Sequence, residues 1–146
     1  MVADDRRTLG RTAAWLAKQV EIGLATADLS VSQYRVLGLL DGTSAVSSDL
    51  AERLAVRPPS VTAVVDGLVA RGLVERRNVA ADRRQVDHVL TPEGRRTLDT
   101  ADAAVSARLC DIAGCLDEDE AERALDGLVV WRRAFTAYRL ARRGGR

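Results

Sequence analysis

The residues of this chain whose types and spacing could do chemistry are arginines and short polar side chains. Arg76 and Arg77 end one strand-like stretch, and Arg83 and Arg84 follow a few residues later in "NVAADRR". A guanidinium presents a planar fork of N–H donors that matches phosphate oxygens. Just ahead of them runs "PPSVTAVVDGLVARG". Val61, Val64, Val65, Leu68 and Val69 recur in it at helical spacing, so one face of a helix is buried. The other face holds Ser60, Thr62, Ala63, Asp66, Gly67 and Ala70, all short. A solvated helix face ordinarily carries Lys and Glu. A short-side-chain face suits close approach to another surface, such as a DNA groove. The chemistry on offer is non-covalent: neutralising phosphates and hydrogen bonding to base edges.

Other chemistries find little support. There is no nucleophile–base–acid set and no Gly-rich phosphate loop, so the chain reads as a non-enzyme with no catalytic residues and no cofactor. Its single histidine, His88, and its two cysteines cannot complete a zinc site within one chain. His88 reads as a satisfied core histidine. Cys110 and Cys115, if both lie on a helix, point about 140° apart, which disfavours a disulfide between them. They read as small buried residues. No apolar run approaches the roughly 18 residues of a membrane span. The start "MVADDRRTLG" lacks the apolar core of a signal peptide, so a cytoplasmic location is expected.

Composition permits a real core: 47% of residues are apolar. Aromatics make up only 3%, so Leu, Val and Ala must fill it. The formal net charge of +1 does not by itself point to nucleic acid. Its distribution says more. Arginines crowd 53–96 and 132–146, and acids crowd 111–126. Lys18 is the only lysine. Ala/Arg-rich, Lys-poor usage equally reflects G+C-rich codons.

The elements that must position these residues are six helices and a hairpin: a mainly α fold with one small β element. The first helix is expected over about 4–27, striped by Leu9, Ala13, Leu16, Val20 and Leu24. Ser30 or Ser32 should cap the second, and Ser47 the third. The fourth should start at Pro58-Pro59, where a missing N–H costs nothing. "LVERR" and "QVDHVLT" read as strands, with Arg83 and Arg84 near the tip of the loop between them. A long helix then runs from Pro92 to about Leu116, and a sixth follows. Asp117 and Glu120 resemble a capping box at its start.

Helix, short turn, helix and basic hairpin make a winged helix-turn-helix. Its second helix can lie in the major groove, its positive N-terminus can hold a phosphate, and the hairpin can reach the backbone or minor groove alongside. At "LSVSQYRVLGLL", "SSDLAERLAVRPPSVTAVVDGLVARGLVERR" and "DRRQVDHVLTPEGR" the sequence resembles the MarR family of bacterial transcription regulators. The Asp-Arg-Arg wing followed by Leu-Thr-Pro-Glu-Gly is the specific part of that likeness.

The resemblance implies a winged helix-turn-helix over 29–91, flanked by dimerisation helices at 1–28 and 92–146. It implies a homodimer on a pseudo-palindromic DNA operator, acting as a repressor released by a small aromatic or phenolic molecule. Cysteine-based redox sensing and ligand-independent architectural binding are the alternatives. By the resemblance, Ser60, Thr62, Ala63 and Asp66 face the groove and Arg83 and Arg84 form the wing tip, with Asp82 bracing Arg84. Asp66 reads as an orienter of a nearby arginine or a base-edge acceptor. Strand alternation lets one of Arg76 and Arg77 touch phosphate, and Arg77 is taken as that residue. Trp15 and Tyr34 border the family's ligand cavity and are its candidate ligand contacts, although a plain core role competes. Trp131, Phe135 and Tyr138 are expected to pack a dimer. Three departures stand out: Ala63 where many members carry arginine, His88 where an apolar residue is usual, and no cysteine near the start.

Overall fold

A computed structural model of the chain describes residues 3–79 and 82–144; of these, 3–6, 79, 82–85, 143 and 144 are described by their backbone alone. The order is α1 (Ala3–Leu24), a 3-10 turn (Ala25–Ala27), α2 (Val31–Leu40), β1 (Ala45–Val46), α3 (Ser47–Leu54), α4 (Pro58–Ala70), β2 (Val74–Val79), β3 (Asp82–Leu90), α5 (Pro92–Ala113) and α6 (Glu118–Gly144). Residues 1–105 and 106–146 form two compact units.

Side-chain caps mark the starts of α2, α5 and α6. Ser30, not Ser32, caps α2: its Oγ accepts from Gln33 N at 3.1 Å, and Gln33 Oε1 accepts from Ser30 N at 3.0 Å. Ser47 does not cap α3. The N-cap is Val46 and has no side-chain bond, because the chain enters α3 straight from a strand. That strand, β1, was not foreseen. It is two residues long, too short for any alternation to register in the sequence. It pairs with β3 through Ala45↔His88 and Val46↔Asp87, turning the hairpin into a three-stranded antiparallel sheet of order β1-β3-β2.

The strands also run further toward the wing tip than expected. The register passes from Asn78↔Val86 to Val79↔Asp82, so residues 83–85 of β3 face no partner in β2. Arg83 and Arg84 therefore belong to the bulged start of a strand rather than to a loop. Their side chains, and the proposed bracing by Asp82, lie outside the described residues.

The core of the first unit is aliphatic, as the composition requires. Leu24, Val36, Leu37, Leu40, Leu50, Val61, Val65, Leu68 and Val74 are fully buried. At roughly 1.5–3 kcal/mol for each buried aliphatic side chain, the three from α4 suffice to hold that helix by one face. α4 then stops in a Schellman motif. Gly72, at φ +70°, donates to Val69 O at 2.9 Å, and Leu73 N donates to Leu68 O at 3.0 Å. Leu68 and Leu73 are both buried beside these bonds. Gly72 thus ends the helix and turns the chain directly into β2.

In the second unit, α5 ends at Ala113, earlier than expected, so Cys115 lies in a turn. The angular argument that placed both cysteines on one helix does not apply. Both are exposed thiols rather than buried ones. Asp117 Oδ1 accepts from Glu120 N at 2.8 Å, the first half of the expected capping box.

Candidate nucleic-acid interface

The surface of interest is the outer face of α4 with the adjoining strand β2. Val61, Val65 and Leu68 are buried beneath it, with Val64 and Val69 half-buried. Ser60, Thr62, Ala63, Asp66 and Ala70 are exposed above. The helix thus presents the short face that periodicity placed there. Thr62 Oγ1 donates to Pro58 O at 3.2 Å. That bond uses its one proton, leaving lone pairs and a methyl group outward.

The N-terminus of α4 is not the phosphate cradle that the helix dipole suggested. Pro58 and Pro59 have no N–H to give. The next two amides, of Ser60 and Val61, already donate to Arg57 O at 3.0 and 3.4 Å. The dipole field persists there, but its hydrogen-bond donors are spent.

Register decides which arginine shares the surface with α4. Arg76 stands opposite His88 and Arg77 opposite Asp87. Directly opposed residues point to the same side of a sheet. His88 is buried, so Arg76 lies on the covered side, where it reaches across to form an ion pair with Asp66. Arg77 lies on the other side and pairs with Glu75. Asp66 thus has an arginine as its partner. That arginine is Arg76, which sequence reasoning passed over. The sequence signal was Asp66 itself: an acid on a face otherwise suited to DNA demands a cation nearby.

His88 behaves as a satisfied core histidine, with Nδ1 3.1 Å from Ala45 O. Beside it on the sheet, Asp87 Oδ2 accepts from Ser44 Oγ at 2.8 Å. Arg35 Nη2 donates to Leu54 O at 3.1 Å, tying α2 to the end of α3. At the far end of α4, Arg71 Nη1 donates to Asp28 O at 2.7 Å.

Trp15 and Tyr34 fare differently. Trp15 is 71% exposed in the single chain, so it is no part of one chain's core. Tyr34 is half-buried, and its hydroxyl donates to Asp102 on α5. Burial, then the bond to Asp102 and its charge, push the Tyr34 phenol well above its ordinary range. Among the described residues no group of His, Cys, Asp and Glu could hold a metal ion.

A family model described as MarR family matches residues 27–85, which span α2 through the start of β3. The HTH-type transcriptional repressor MdtR of Bacillus subtilis (strain 168) is 34% identical over 73 residues, 50% of this chain and 47% of that protein. Over these residues the chain is similar to the MarR family. The aligned region spans about half the length of MdtR. Solved structures extend this MarR likeness along the chain. A MarR-family regulator from Rhodococcus sp. RHA1 shares 27% identity with a TM-score of 0.72, covering 88% of this chain and 92% of that one. The repressor CouR bound to a 23-mer DNA duplex shares 28% with a TM-score of 0.72, covering 86% and 89%. CouR from Rhodococcus jostii RHA1 is also known bound to p-coumaroyl-CoA. The mainly α winged helix-turn-helix fold of this chain matches these structures. Among the described residues no helix is long and apolar enough to cross a membrane.

Proposed function

We propose that the chain is a cytoplasmic, homodimeric transcription repressor that binds a pseudo-palindromic DNA operator and is released by a small aromatic ligand. The observation that carries this reading is the outer face of α4. Short side chains stand exposed on a helix anchored by buried valines, beside an arginine-bearing sheet. Rigid placement of short polar groups is what direct base reading needs. Ser60, Thr62, Ala63 and Asp66 would lie against base edges. Arg83, Arg84 and Arg77 would bind the phosphate backbone beside them. Residues 29–91 would form the DNA-binding part, and 1–28 with 92–146 the dimerisation part.

The dimer reading is supported by α6, which leaves Val129, Val130, Trp131, Phe135, Tyr138 and Leu140 exposed in a single chain. Apolar exposure on this scale marks an interface. Trp15, exposed on α1, is accounted for in the same way: an aromatic that a second chain or a ligand covers. The ligand reading rests on CouR, whose bound p-coumaroyl-CoA carries a phenolic acyl group.

The test is enrichment of bound sequences from a random duplex library, followed by titration with salicylate and p-coumarate. A two-fold symmetric sequence released by one of these compounds, with tryptophan quenching at the same concentration, is the expected result. By linkage, a compound that binds free and DNA-bound protein equally releases nothing. Quenching without release would therefore remove the induction half of the proposal, and enrichment of an asymmetric sequence would remove the dimer half.

A further inference from the structure

The ion pair between Asp66 and Arg76 joins the exposed face of α4 to β2, and both side chains remain about half exposed. Asp66 follows Thr62 by one helical turn, so it belongs to the same outward face. A bare carboxylate there would repel phosphates. A bare arginine there would attract them indiscriminately, because a long mobile cation follows any backbone. Paired, the two cancel, and one carboxylate holds a guanidinium whose side chain is still about half exposed. Arg77, one residue along, cannot substitute, because it lies on the opposite side of the sheet and pairs with Glu75.

We propose that the Asp66–Arg76 pair sets the ratio of sequence-specific to indiscriminate DNA binding. Arg76 is a DNA-contacting residue, and Asp66 is the positioning residue that fixes its guanidinium and cancels its free charge. This rests on the DNA-reading function proposed above. Fixing Arg76 in advance removes the entropy cost of ordering it on the right sequence. Cancelling its charge removes the reward for sitting on the wrong one.

Charge logic makes the proposal separable in four proteins: wild type, Asp66→Asn, Arg76→Ala and the double variant. Each is measured on a duplex enriched by the wild type and on its scrambled version, across a salt series. Asp66→Asn frees a mobile cation, so scrambled-duplex binding tightens and the salt slope steepens by about 0.9, the share of one phosphate. Arg76→Ala bares a carboxylate, so binding to both duplexes falls and the slope becomes shallower by about as much. The double variant has the wild type's net charge, so its scrambled-duplex affinity returns toward wild type. Its preference for the enriched duplex stays about tenfold lower, the cost of one lost specific contact. Arg76→Lys keeps the charge but not the fork and should lose preference without losing scrambled-duplex affinity.

The proposal is overturned if Asp66→Asn and Arg76→Ala move scrambled-duplex binding in the same direction, or if the double variant keeps the wild-type preference. If the wild type enriches no sequence at all, the DNA-reading function itself fails. Thermal melts of the four proteins should coincide, since both side chains reach solvent. Any variant that melts early is replaced by Asp66→Ser or Arg76→Gln, on which the same criteria apply.

Discussion

A β-carbon on Gly94 would stand 1.9 Å from the carbonyl oxygen of Leu73. The first turn of α5 lies directly on the backbone that leads into β2. Thr91 completes this joint: its Oγ1 donates to Gly72 O at 2.6 Å and accepts from Gly94 N at 2.9 Å, while its own amide donates to Leu73 O at 3.1 Å. The end of α4, the root of β2 and the start of α5 are thereby bonded through one residue. Backbone cannot yield as a flexible side chain can. Gly94→Ala should therefore cost about 3 kcal/mol or more in urea unfolding, the upper end for overpacking. Gly38→Ala is the control. It lies exposed within α2 with nothing within 4 Å of its Cβ position. There the substitution should stabilise by roughly 0.5–1 kcal/mol. Equal effects at the two sites would refute the close approach.

The turn between α3 and α4 holds an alanine in the left-handed region: Ala55 has φ 55° and ψ 43°. Its neighbours make the bonds of a Schellman stop, Ala55 N to Glu52 O at 3.2 Å and Val56 N to Ala51 O at 3.1 Å. A side chain in this conformation costs roughly 1 kcal/mol that glycine escapes. Glycine also has more freedom to lose from the unfolded chain. Ala55 is exposed, so no packing is forfeited. Ala55→Gly should raise stability by up to about 1 kcal/mol, read as a higher urea midpoint at unchanged slope. A lower midpoint would show that the turn gains nothing from relief of strain.

Wing and helix should divide the work of binding. Arg84→Ala should weaken binding to enriched and scrambled duplexes alike and lower the salt slope by about 1 if it neutralises one phosphate. Thr62→Ala should cost on the order of 1 kcal/mol on the enriched duplex alone. Competition between the two duplexes at two salt concentrations separates these outcomes. Loss confined to the enriched duplex in Arg84→Ala would make the wing a reader of sequence, through a narrow minor groove.

Tyr34 should make stability fall at alkaline pH. Its folded phenol holds its proton beyond the ordinary value of 10.0, through burial first and then Asp102. As pH rises past that value, the unfolded chain releases a proton that the folded chain keeps. Unfolding is then favoured, so the stability due to Tyr34 is whole below the unfolded value and lost as pH climbs toward the folded one. Tyr34→Phe should flatten this alkaline fall and cost about 1 kcal/mol at neutral pH, the worth of one hydrogen bond. Denaturant midpoints of both proteins across the alkaline range provide the measurement. Parallel curves would remove Tyr34 as the source.

Ending the chain after Leu116 removes the exposed apolar side chains of α6. The shortened protein should sediment as monomer or aggregate and fail to bind a symmetric duplex. A soluble truncation that binds as tightly as the full chain would place dimerisation elsewhere.

Much of this architecture could be read from neighbouring residues, because the forces that write it act over one helical turn. The valine stripe of α4, the Pro58-Pro59 start, the Gly72 stop and the Ser30 cap with Gln33 each lie within a few positions of one another. Their meaning does not depend on the rest of the chain. The exposed short face of α4 followed at once, as the complement of its buried one. Tertiary structure alone decided which arginine joins that face. Alternation showed that Arg76 and Arg77 point opposite ways, but a strand's facing is set by its register against a partner. Here that register runs through His88, buried where β1 and β3 meet. The same long-range pairing made Val46 rather than Ser47 the residue before α3. Gly94 closes the Leu-Thr-Pro-Glu-Gly stretch of the sequence, but its lack of a β-carbon acquired a physical reason only because Leu73 was folded against it.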